Sequence, residues 1–103
     1  VWPHGTAPAD FHAPFVSSIP TLILSGERDP VTPPAYADEI LKGLSNARVL
    51  AVKGMGHSVL SRGCMPKLVN DFIADLTPKQ LDAACLKRIG PIPAFVTIHG
   101  AAP

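Results

Sequence analysis

The sequence predicts an α/β fold: two parallel strands joined by a crossover helix, followed by two C-terminal helices. Three observations carry that expectation. Two short, β-branched apolar runs, at residues 19–24 and 48–52, are separated by one helical-period stretch. Each run ends abruptly in a loop rich in Gly or Pro. Beyond residue 65 the apolar residues recur at helical spacing.

Residues 1–18 read as an irregular lead, because Pro3, Pro8 and Pro14 exclude a regular helix or a central strand there. Residues 19–24, IPTLIL, are apolar on both faces, as in a parallel strand covered on both sides. After a loop over 25–32, Thr32 and Pro33 read as an N-cap and first helical position. Tyr36, Ala37, Ile40, Leu41 and Leu44 then share one helix face, and Gly43, Ser45 and Asn46 end the helix. RVLAV at 48–52 is the second strand, and the strand–helix–strand order favours a parallel crossover. Pro66 opens a helix with Leu68, Val69, Phe72, Ile73 and Leu76 as its buried stripe. Thr77, Pro78 and Gln80 read as a capping box for a last helix, with Leu81, Ala84, Cys85 and Ile89 facing inward and Gly90 past its end. This makes one domain over 1–103, with its core at 19–90 and an extended tail at 91–103.

Composition narrows the function classes. The chain has 103 residues, 47% hydrophobic and 17% charged, which fits a packed domain rather than a disordered segment. The formal net charge is +1 with scattered Lys and Arg, so no nucleic-acid footprint is expected. No apolar run approaches the roughly 20 residues that cross a bilayer, so no membrane partner is expected. No secretory leader is visible in the first residues. The opening VWPHGTAP lacks an initiator Met, and we read the chain as a fragment or a processed product. Cys64 and Cys85 lie outside any CxxC and have no His at ligand spacing, so no metal is expected. On residues alone they are either two buried thiols or one disulfide.

The chemistry concentrates after the two strands. Asp29 lies 29 − 24 = 5 positions past the last apolar residue of the first run, and His57 lies 57 − 52 = 5 past the second. Parallel neighbours deliver both loops to the same sheet edge, where open α/β sheets bind ligands. Gly26 precedes the acid, and Gly54 and Gly56 precede the imidazole, allowing tight turns and close backbone approach. An aspartate bonded to Nδ1 of a histidine fixes the ring tautomer and stabilises the imidazolium. Asp29 and His57 are therefore the catalytic candidates, with no cofactor. His4, His12 and His99 read as solvated loop residues, and Trp2 as a packing anchor for the lead. Glu27 and Arg28 read as surface loop residues.

At PTLILSGERDPVTPP (20–34) together with GMGHS (54–58), the chain resembles the α/β-hydrolase superfamily in its C-terminal part. More narrowly it resembles the C-terminal region of the tripeptidyl aminopeptidase and proline iminopeptidase-like serine peptidases. VWP near the start, NARVLAVKGMGHS, and the cysteines in RGCMPKLVNDFIADLTPKQLDAAC extend the likeness over about residues 2–86. The resemblance implies Asp29 as the triad acid, His57 as the general base, and a Cys64–Cys85 disulfide in a secreted or periplasmic protein. It also implies hydrolysis of peptide bonds near a free N-terminus, with Glu27 as a possible acidic contact for that terminus.

One departure sets the limit. The nucleophile elbow G-x-S-x-G is absent: Ser17, Ser18 and Ser25 precede Asp29, and none has a Gly two positions before or after it. Two members of a triad are present without the third. The expected partners are a peptide substrate acting through a full-length parent and the missing N-terminal hydrolase half. The rival from another class is a non-catalytic association or folding module, whose open strand edges would make homo-oligomers. A nucleotide-binding module is disfavoured, since no Gly-rich phosphate loop follows either strand.

Overall fold

The computed structural model describes residues 2–91, Pro93 and Ile98. The expectations for His99 and for most of the tail lie outside the described residues. Strand β1 (Thr21–Gly26) leads to helix α1 (Pro34–Leu41), strand β2 (Ala47–Val52) and helix α2 (Met65–Asp75). Two 3₁₀ turns, Pro78–Gln80 and Ala84–Arg88, follow. β1 and β2 pair in parallel, in register from Thr21 opposite Ala47 to Gly26 opposite Val52. Among the described residues, no helix is long and apolar enough to cross a membrane.

The core follows from the period of two along each strand. Leu50 and Val52 of β2 cluster with Met55, Val59, Met65 and Leu68, and Leu22 and Leu24 of β1 pack against this group. Val69, Ala83, Leu86 and Ile89 close it from the side of α2 and the second turn. Val52 and Met65 are fully buried, and burial of such a side chain contributes about 1.5–3 kcal/mol. The opposite sheet face carries Ser25 and Ala47, which are buried, and Ile23, Val49 and Ala51, which are not. A Cys64–Cys85 disulfide, with Cα atoms 6.4 Å apart, ties the start of α2 to the last turn.

Several boundaries differ from expectation. The first strand sits two residues later, over 21–26 rather than 19–24, and Ile19 is exposed. The backbone explains the shift: the pairing begins where the Thr21 N–H donates to Asn46 O, beyond Pro20, which has no N–H to give. Gly26 therefore lies opposite Val52, and the acid and base stand three (29 − 26) and five (57 − 52) residues past paired strand ends, not at equal offsets. α1 is capped at Pro33 rather than Thr32, with no side-chain cap bond. Of its predicted face, Ala37 and Leu44 are buried while Tyr36 and Ile40 are exposed.

In α2 the stripe is buried only at Leu68, because Val69 and Phe72 are half-covered and Ile73 and Leu76 are exposed. Trp2, expected as an anchor, is 87% exposed.

The last predicted helix is replaced by the two 3₁₀ turns. In a continuous helix the carbonyls of Pro78 and Leu81 would accept from residues four further on. Instead they accept from the Arg48 guanidinium, which reaches across from β2. Leu81 is extended, with ψ 130°, and Asp82 Oδ1 accepts the Ala84 N–H at 3.0 Å, starting a new turn. Thr77 makes no side-chain cap bond, so the capping box is not formed.

Candidate active site

The loop after β1 is organised around Asp29, whose side chain is almost fully buried. The Val31 and Thr32 N–H groups donate to Asp29 Oδ1 at 2.8 and 3.0 Å. The Thr32 hydroxyl donates to Asp29 Oδ2 at 2.7 Å. Thr32 thus serves the carboxylate, not the helix it was expected to cap, and leaves Pro33 in the cap position of α1. Sequence reasoning passed over it because a Thr before Pro reads first as an N-cap. The signal that could have found it is its position three residues after an Asp, the spacing at which backbone and hydroxyl donors fold back onto a carboxylate.

The second loop brings His57 to the same carboxylate. Its Nδ1 lies 2.9 Å from Asp29 Oδ2 and 3.3 Å from Thr32 Oγ1. Oδ2 is an acceptor, and the single Thr32 hydroxyl hydrogen already points at Asp29. Both therefore accept from Nδ1, which fixes the proton on that nitrogen and leaves Nε2 with a free lone pair. The imidazole is 59% exposed, and Nε2 has no hydrogen-bond partner among the described residues. This is a buried acid behind an accessible base. Burial acts to raise the Asp29 pKa, but the bonds from Thr32, His57 and Val31 outweigh it. The carboxyl is held well below the usual carboxylate range, so Asp29 is ionised behind the ring.

Backbone contacts join the two loops. The Glu27 N–H donates to Val52 O at 3.1 Å and the Arg28 N–H to Met55 O at 2.9 Å. Glu27 Oε2 accepts the Gly54 N–H at 2.7 Å. Gly26 is required by close approach: a Cβ there would run into the Gly56 carbonyl oxygen. Gly54 adopts φ +69°, a left-handed conformation open to glycine. The loops therefore pass each other closely enough for a five-residue reach from β2 to meet a three-residue reach from β1.

Other side chains are not gathered here. His4 and His12 are exposed in the lead, with no bond to Asp29 or His57. Among the described residues no serine hydroxyl bonds to His57. Ser25 is buried in β1, and its Oγ has no partner among the described residues. No three His, Cys, Asp or Glu side chains among the described residues converge as a metal site. The arrangement can accept a proton at Nε2 and stabilise the resulting imidazolium against Asp29.

A family model described as TAP-like protein matches residues 1–85. No curated protein and no solved structure matches the chain.

Proposed function

The chain belongs to the TAP-like family, as a C-terminal region of an α/β-hydrolase, and from that premise we propose that it supplies the acid and base of a serine peptidase. The observation that carries the reading is the 2.9 Å contact between His57 Nδ1 and the buried Asp29 Oδ2. In this reading Nε2 takes the proton of a serine hydroxyl as that oxygen attacks the scissile carbonyl. The imidazolium, held by Asp29, then gives the proton to the leaving amine. The serine comes from a segment outside these residues, consistent with the absence of G-x-S-x-G. The substrate class is a peptide with a free N-terminus, reached through the full-length parent, and no cofactor takes part. The disulfide supports an oxidising compartment, secreted or periplasmic.

A second reading has its own support. Phe15, Val16 and Ile19 of the lead and Tyr36 and Ile40 of α1 are exposed apolar side chains. They favour association, either with the remainder of a hydrolase domain or with a second copy.

The test is turnover of N-terminally unblocked peptides by the full-length protein. Asp29→Asn, which leaves the ring without its carboxylate, is expected to lower kcat on the order of 10⁴-fold. His57→Ala is expected to be at least as severe. Unchanged turnover in either variant excludes the assignment and leaves the association module as the better account.

A further inference from the structure

We propose that Glu27 is a positioning residue, whose carboxylate grips the Gly54 amide and thereby sets the His57 ring against Asp29. The proposal rests on His57 being the base. Glu27 directly follows β1, and Gly54 lies two residues past the end of β2. The bond between them, at 2.7 Å, is the side-chain tie that joins the two catalytic loops away from the Asp29–His57 contact itself. An N–H bonded to a carboxylate is stronger than one bonded to a neutral acceptor.

The His57 loop needs such a tie. Gly54 and Gly56 bracket Met55, so the backbone has two glycine joints just before the imidazole, the first held in a turn by the Met55 N–H donating to Val52 O at 3.4 Å. Met55 is buried and anchors the middle, while the Arg28 N–H holds its carbonyl. Nothing else among the described residues bonds to the Gly54 N–H, and Pro91 presses close on its other side. Without Glu27 the Gly54 N–H loses its partner, and the turn over 52–55 is closed by the longer 3.4 Å bond from the Met55 N–H to Val52 O alone, so the turn shifts and the imidazole moves with it. Misplacing a catalytic group by about 1 Å costs on the order of 100-fold in rate. The same carboxylate was a candidate contact for a substrate N-terminus. Those two roles differ in what they do to kcat, to KM, and to the histidine in the absence of substrate.

The experiment compares Glu27→Ala, Glu27→Gln and Glu27→Asp in the full-length protein by two readouts. One is the downfield proton resonance of the His57 Nδ1–H in solution, with no substrate present. The other is kcat and KM on peptides with free and blocked N-termini. E27A is expected to broaden or lose the resonance and lower kcat by roughly 10- to 100-fold on every substrate, with KM kept. E27Q, whose amide oxygen still accepts the Gly54 N–H, restores both. E27D keeps the charge but falls short in reach, so it follows E27A and serves if E27A does not fold. An unaltered resonance and kcat in E27A overturn the proposal. So does a rise in KM confined to free-N-terminus peptides that E27Q shares, since that result makes Glu27 a substrate contact. If the parent hydrolyses no peptide, the peptidase reading fails, and the resonance alone decides the role of Glu27.

Discussion

Asp29 accepts three hydrogen bonds from its own loop before it meets the imidazole. These bonds exist only in the folded chain, so its carboxyl binds a proton less readily when folded than when unfolded. By linkage, a depressed carboxylate stabilises the fold above the ordinary carboxylate range, and that contribution is lost as pH falls through the folded value. We therefore expect stability, followed by urea unfolding from about pH 5 down to about pH 2, to decline with a component that Asp29→Asn removes. Thr32→Val deletes the hydroxyl donor but keeps the backbone N–H, so it should shrink this component without abolishing it. A Thr32→Val profile that overlays the parent would show the hydroxyl to be idle. That Asp29 and His57 would meet was legible in sequence because each follows an apolar run and a glycine. Thr32 and Glu27 were not, because their partners, Asp29 and the Gly54 N–H, are chosen by how two loops pack. Local sequence assigned Thr32 to a helix cap and placed Glu27 at the surface, where it does lie, but could not show the bond it makes there.

At the scale of elements, periodicity found both strands, α1 and α2, and failed where a long-range bond intervened. The spacing of Leu81, Ala84, Cys85 and Ile89 is helical. No window on that stretch could see Arg48 arriving from β2 to take the carbonyls of Pro78 and Leu81. With the ladder interrupted, the disulfide takes over the work of holding the last turn to α2. It closes a loop of 21 residues in sequence separation, for which the chain-entropy model gives about 3 kcal/mol. That equals the largest contribution of one fully buried core side chain, about 3 kcal/mol. The Cys64→Ser, Cys85→Ser double variant should lose about this amount in chemical denaturation. It should nevertheless keep the His57 Nδ1–H resonance, because the Asp29–His57 contact is secured by the β1 and β2 loops and not by α2. Loss of the resonance at unchanged secondary structure would mean that α2 sets the histidine loop.

For the molecule as a whole, the main core lies on one side of the sheet, and a smaller buried group of Ala37, Leu44 and Ala47 lies outside it. The core occupies the sheet face of Leu22, Leu24, Leu50 and Val52, while the opposite face is only partly covered. Among the described residues β1 and β2 pair with each other alone, so each has an outer edge without a strand partner there. The ladder direction can be read from the Thr21 and Glu27 N–H groups, which both point to β2. The period of two then turns the Leu22 and Leu24 peptide groups outward from β1. An unpaired strand edge together with exposed Phe15, Val16 and Ile19 is the combination that recruits another chain. The 103-residue chain is accordingly expected to show a molar mass in light scattering that rises with concentration. A charge placed at the exposed rim of that surface, Ile19→Lys, should lower the association without altering the Asp29–His57 resonance, since Ile19 lies before β1 and away from both loops. A sharp monomer at high concentration in the unsubstituted chain would refute this, and would mean that the outer edge of β1 is shielded from pairing by the lead that runs into it.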